Sequence, residues 1–236
     1  MHLHTTTALS LSTLTVLALA GCSIGSTSAD GPGSSTSAPT QQEGKHVPAS
    51  VLLSSAALSK RLLDESDLGD GYTRKPQQSE SRDDVVVSGC PALDKLDGDV
   101  AVGGSLDFPR KAEVSFIYGG GSNSEVAEEL YSDTEAKLSK GVGRIFDAMT
   151  SCPNYQVLVG STSVTVTAQK ALAARLGDEQ WSQLLTFSSG GRSSIVKQTA
   201  VRTGTVVVVV SGSPGLVDAQ TRMAVAKATV VRSTGR

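Results

Sequence analysis

Hydrophobic and polar positions in the last third of the chain alternate in short runs that are separated by turn residues. Five runs are typical of strands: 155–159, 163–166, 183–188, 193–202 and 205–211. Gly190-Gly191 and Thr203-Gly204 fit tight hairpin turns between them. The uniformly β-branched run at 206–210 predicts a strand covered on both faces, or a strand beneath a helix.

Other stretches of the chain show helical spacing of their apolar residues, and a few show further strands. Ser122-Asn123-Ser124-Glu125 fits a capping box, and apolar residues then recur at threes and fours up to Met149. A second helix is predicted over 216–231, a short one near 51–63, a strand at 85–87, and a hairpin from 100–108 and 112–118. These elements predict an α+β fold, an antiparallel sheet with two main helices packed on one face.

The amino-terminal pattern predicts export. An apolar run over 9–20 ends in Leu19-Ala20-Gly21-Cys22, which is typical of a lipoprotein signal peptide spanning residues 1–21. Cleavage between Gly21 and Cys22 would expose Cys22 for a diacylglyceryl group and palmitate. The run is shorter than the roughly 20 apolar residues of a membrane span. Cleavage without lipidation remains the alternative.

The residues after Cys22 form a polar tether. Residues 22–50 are rich in Ser, Thr, Gly and Pro and cannot bury enough surface to fold. A flexible coil of this length spans about 30 Å. Residues 51–236 remain for one domain, and the formal net charge of −2 gives no basic surplus for nucleic acid. Membrane attachment therefore depends on the lipid at Cys22.

Three cysteines are present. If Cys22 carries lipid, Cys90 and Cys152 remain as a pair in an exported domain, which predicts one disulfide. The chain-entropy model assigns such a loop about 4 kcal/mol of stabilisation. Two free buried thiols are the alternative, and no second pair or neighbouring histidine favours a metal site.

The domain lacks the residues of common catalytic machinery. His2, His4 and His46 all precede it, and no serine lies in a Gly-x-Ser-x-Gly motif, which argues against hydrolysis by a catalytic triad. No cofactor motif is present. Asp178 and Glu179 beside Trp181 form a candidate carboxylate pair for a glycosidase. The alternative, which adjacency on an extended chain favours, is a polar loop that caps a turn.

Several short motifs carry a family resemblance. These are Leu68-Gly69-Asp70-Gly71-Tyr72, Cys90-Pro91, Cys152-Pro153, Leu176-Gly177-Asp178-Glu179 and Val201-Arg202-Thr203-Gly204. Together they resemble the extracellular sensor domain family of the mycobacterial kinase PknH and its actinobacterial lipoprotein members. The resemblance implies an antiparallel sheet backed by helices, with a groove for an unidentified ligand. The chain departs from the kinase in having one candidate disulfide where the kinase domain has two, and in lacking a kinase domain.

The sequence therefore predicts a non-catalytic protein, lipid-anchored on the extracytoplasmic face of the cell membrane. Its domain would bind an envelope small molecule or a protein partner, through residues that the sequence does not identify. Two other classes stay open: a carboxylate-dependent envelope hydrolase and a structural partner in envelope assembly.

Overall fold

The computed structural model describes residues 51–76, 85–96, 108–119 and 124–229. Within them, the helices and strands form an α+β arrangement, with five consecutive strands between the two longest helices. The helices are α1 (Ser55–Ser59), α2 (Glu65–Leu68), α3 (Pro91–Asp94), α4 (Glu135–Ser151) and α5 (Pro214–Thr229). The strands are β1 (Tyr72–Arg74), β2 (Val85–Ser88), β3 (Lys111–Tyr118), β4 (Ser124–Ser132), β5 (Asn154–Val159), β6 (Thr162–Lys170), β7 (Glu179–Ser189), β8 (Arg192–Thr203) and β9 (Val206–Gly212).

The strands of this described part form one antiparallel sheet in the order β1-β3-β4-β9-β8-β7-β6-β5-β2. The five strands predicted in the last third are confirmed as β5 to β9. Gly190, Gly191 and Gly204 adopt positive φ in the connections of β7 to β8 and β8 to β9, which is what short hairpin turns require. The predicted α+β class and antiparallel sheet are confirmed.

The central strand β9 is covered on both faces. Val206, Val208 and Val210 lie in a core cluster with α1 and α5, whereas Val207 and Val209 lie in a cluster with α4. Successive side chains of a strand point to opposite faces, so five consecutive buried valines need cover on each side. The expectation that both main helices pack on one face is therefore wrong, because α4 and α5 lie on opposite faces of the sheet.

The prediction of a long helix that starts at the Ser122-Asn123-Ser124-Glu125 motif is also wrong in its first part. Residues of β4 pair with β3 on one side and with β9 on the other, and α4 begins only at Glu135. Two ladders of backbone hydrogen bonds outweigh a local capping signal. Residues 100–107 of the predicted hairpin lie outside the described residues, and β3 pairs with β1 and β4.

The predicted disulfide is confirmed. Cys90 and Cys152 are bonded across 62 residues, with their Cα atoms 5.6 Å apart. Cys90 is the residue before Pro91 at the start of α3, and Cys152 follows the end of α4. The disulfide thus fixes the short helix α3 against the long helix α4.

Among the described helices, none is long and apolar enough to cross a bilayer.

Replacing both cysteines (Cys90→Ala with Cys152→Ala) should lower the free energy of unfolding by about 4 kcal/mol, because the unfolded chain regains the entropy of an open 62-residue loop. Urea denaturation measures the loss. Wild-type protein in reducing buffer should lose a similar amount, and the double variant should not respond to the reductant. A loss below about 1 kcal/mol would contradict the stabilising role.

Candidate functional site

The two candidate carboxylates of the sequence lie in an ion-pair cluster with Arg202. In the register of β7 and β8, Glu179 stands directly opposite Arg202. The guanidinium donates from Nε to Glu179 and from Nη1 to Asp178, which is 3.3 Å away. The motifs Leu176-Gly177-Asp178-Glu179 and Val201-Arg202-Thr203-Gly204 are therefore in direct contact.

Backbone contacts lock the same two motifs together. Asp178 donates its N–H to the carbonyl of Arg202 at 2.8 Å, and its side chain accepts from the N–H of Gly204 at 2.8 Å. A Cβ atom at Gly177 would lie 2.4 Å from the Arg202 carbonyl oxygen. Only glycine permits so close an approach of the two backbones.

This geometry does not suit acid–base catalysis. The hydrogen bond from Arg202 holds the pKa of Glu179 below its usual value, against the opposing effect of burial. A glycosidase needs one carboxyl group with a raised pKa to serve as the general acid. Trp181 is half-buried and packs against Phe146 of α4, with ring centroids 6.4 Å apart. Asp178 and Glu179 act as partners of Arg202, and Trp181 belongs to the core.

Replacing Arg202 with Met should lower the free energy of unfolding by about 1–3 kcal/mol, because both carboxylates lose a cation that is 11% exposed. Urea denaturation of the variant provides the measurement. The matched control is Lys170→Met, which removes an ion pair to Asp147 whose two side chains are each 75% exposed. That variant should change stability by less than about 0.5 kcal/mol. Equal losses in the two variants would contradict a structural role for the cluster.

A groove lies between α3 and the outer side of α4. The inner side of α4 carries a buried stripe of Leu138, Val142, Phe146 and Met149, which packs on the sheet. The side of α4 that adjoins this stripe faces α3 and borders an open groove of about 720 Å³. Apolar side chains of the lining are Ala92, Leu96 and Ala148.

Three cations line the groove: Lys95, Lys140 and Arg144. All three are exposed, and none forms an ion pair with a described residue. The lining also contains the carboxylate of Asp147, which lies 3.6 Å from Lys170. The groove lining therefore carries three cations and one carboxylate, and this excess of positive charge attracts anions.

The disulfide and the Arg202 cluster both support this groove. The Cys90–Cys152 bond fixes α3, which carries Lys95 at its end. On α4, Ser139 lines the groove and donates from Oγ to Glu179 at 2.8 Å. Glu179, which accepts this hydrogen bond from α4, is itself held by Arg202.

The remaining predicted site residues have different outcomes. Gly21 and Cys22 lie outside the described residues. The cations of the groove were not identified from the sequence, although Lys140 and Arg144 are four residues apart and so share one face of a helix. No group of three or more His, Cys, Asp or Glu side chains in the described residues could hold a metal ion.

Comparison with known proteins adds evidence on the fold. No protein-family model matches the chain, and no curated protein matches it. The chain is similar to the crystal structure of the extracellular domain of PknH from Mycobacterium tuberculosis, with a TM-score of 0.55 and 16% sequence identity. This match covers 75% of the present chain and 95% of the PknH domain.

A second structural match is weaker. It is the X-ray structure of the Rv0999 ortholog from Mycobacterium smegmatis, described as a putative uncharacterized protein, with a TM-score of 0.37 and 11% identity. It covers 70% of the present chain and 93% of that protein. By its strand order, the described part of the chain is an α+β domain built on a single antiparallel sheet. The particular fold is that of the PknH extracellular domain.

Proposed function

We propose that this protein is a lipid-anchored domain on the extracytoplasmic face of the cell membrane, without catalytic activity of its own. Its role is to bind an anionic small molecule in the groove between α3 and α4. The observation that carries the binding proposal is the group of Lys95, Lys140 and Arg144, which line one groove without an ion-pair partner among the described residues. Cationic side chains so placed favour phosphate or carboxylate groups.

Two further observations support an extracytoplasmic sensor-like role. The fold is shared with a domain that is extracellular in PknH. The Cys90–Cys152 disulfide is of a kind that forms and persists in oxidising compartments. Anchoring rests on the Leu19-Ala20-Gly21-Cys22 motif, because a diacylglyceryl-cysteine supplies the two acyl chains that stable attachment needs.

An open, cationic groove also narrows the class of ligand. Carriage of an acyl chain requires an enclosed apolar cavity that covers most of the ligand. The groove is instead open, and its lining includes three cations beside a few small apolar side chains. These properties fit a compact polyanion with several phosphate or carboxylate groups.

Neutralising two groove cations, as Lys140→Gln with Arg144→Gln, should weaken binding of such an anion by about tenfold, because two charge-assisted contacts are lost. Citrate and inorganic pyrophosphate serve as probes that separate carboxylate from phosphate recognition. NMR titration of the full chain follows the amide signals of the groove and gives the dissociation constant.

The control for this experiment is Lys137→Gln, which removes a cation from the same helix. Lys137 is exposed, lies outside the groove and is 3.7 Å from Asp133. This variant should bind both probes as the wild type does. If neither probe shifts the groove signals of the wild type at millimolar concentration, or if all variants bind equally, the ligand proposal fails.

Replacing Cys22 with Ala should move the protein from the membrane fraction to the soluble fraction, because the thiol that receives the lipid is lost. Cell fractionation measures the distribution, and mass spectrometry of the amino-terminal peptide detects the diacylglyceryl group. Ser23→Ala is the neighbouring control and should leave both results unchanged. Unchanged fractionation of Cys22→Ala would refute lipid anchoring.

A further inference from the structure

Glu128 is a carboxylate in the middle of an apolar core. It lies on β4, on the sheet face that α1 and α5 cover, and is 1% exposed. The neighbouring strands place Val114 and Val210 beside it in register. An ionised carboxylate in such surroundings is unfavourable unless several donors compensate it.

The described residues give Glu128 one hydrogen bond. Its Oε2 accepts from the backbone N–H of Leu63 at 2.6 Å, and its Oε1 is buried without a hydrogen-bond partner among them. Leu63 lies between α1 and α2. The buried carboxylate therefore holds the segment that immediately follows the predicted tether.

We propose that Glu128 makes the docking of residues 51–69, the N-terminal segment, onto the sheet sensitive to pH. The segment is held tightly when Glu128 carries a proton and opens more readily when Glu128 is ionised. This device is separate from the groove, which lies on the opposite face, and does not depend on the proposed ligand.

The other contacts of the N-terminal segment define what opens. Leu58, Leu62 and Leu63 are buried in the core cluster that α5 covers. Arg61 donates from Nη1 to the carbonyl of Ala228 at 2.7 Å, and the N–H of Leu53 donates to Ser132 at 2.9 Å. Local opening of one such unit is possible without unfolding the sheet.

The charged groups that face Glu128 come from α2 and α5. Lys227 of α5 forms ion pairs with Asp64, at the start of α2, and with Asp67. Burial opposes the charge of Lys227, but its hydrogen bonds to both carboxylates raise its pKa. The hydrogen bond from Lys227 holds the pKa of Asp64 well below its usual value. Lys227 and Asp64 thus keep their charges while Glu128 titrates.

Burial raises the pKa of Glu128 to about 7 from 4.5, although the Leu63 N–H and Lys227 act in the opposite direction. When the segment opens, the carboxylate meets water and its pKa falls back. Between pH 4.5 and 7 the docked state therefore binds a proton that the open state lacks. Docking is strongest at the acidic end of this range, weakens as pH rises through it, and stays weak above pH 7.

Hydrogen exchange of the full chain at pH 5 and pH 8, corrected for intrinsic amide rates, tests the proposal. The protection of the Leu58 and Leu63 amides should fall on the order of a hundredfold between these pH values. Protection of the Ala200 amide in β8 should change much less. Loss of protection at Ala200 equal to that at Leu63 would indicate global unfolding and would overturn the proposal.

Two variants and one direct titration complete the test. Glu128→Gln should remove the pH dependence at Leu63, whereas Asp70→Asn, which replaces an exposed carboxylate near the same segment, should retain it. In wild-type protein labelled at the glutamate Cδ, one signal should titrate near pH 7 together with the Leu63 amide signal. If the protection of the Leu63 amide still depends on pH in Glu128→Gln, or if no glutamate titrates near pH 7, the proposal is overturned.

Discussion

Burial of β9 on both faces is the constraint on which the other features depend. Five consecutive valines from Val206 to Val210 are each at most 6% exposed, so neither face of the central strand is open to water. Each buried valine contributes roughly 1.5–3 kcal/mol relative to exposure. That burial requires α5 on one side and α4 on the other. Helix α4 then lines the cationic groove, and α5 covers Glu128 and supplies Lys227.

The fold could be predicted where local signals and tertiary pairing agree. The hairpin strands of the last third combine period-two alternation with glycines at the turns, and both signals lead to the same structure. The stretch before α4 is different, because Val126 and Leu130 are four residues apart, a spacing that fits both a helix face and one face of a strand. Only pairing with β3 and β9 decides between them, and that pairing is not local. Amphipathic spacing likewise cannot say which face of the sheet a helix covers.

The candidate site could be predicted only in part, for the same reason. Counting cysteines was sufficient to predict the disulfide, because the lipoprotein motif assigns Cys22 to the lipid and leaves Cys90 and Cys152 as a pair. The role of Arg202 depends on strand register, which places it opposite Glu179 from 23 residues away. Lys140 and Arg144 are recognisable neighbours on a helix, but Lys95 joins them from α3, which the disulfide and a shared core cluster hold beside α4. Residues from distant segments form the groove, so local patterns do not reveal it.

Environment determines what each carboxylate does. Glu179 and Glu128 are the same residue type on strands of one sheet, yet their pKa values move in opposite directions. Glu179 meets the guanidinium of Arg202 near the surface, and the cation stabilises its charge. Glu128 meets one backbone N–H and a wall of valines, so desolvation outweighs the single hydrogen bond. A paired carboxylate of the first kind fixes structure at every physiological pH, whereas an unpaired one of the second kind exchanges its proton near neutrality. The two lie on opposite faces of a closely packed sheet, and among the described residues they share no hydrogen bond or ion pair, so each carboxylate responds to its own surroundings.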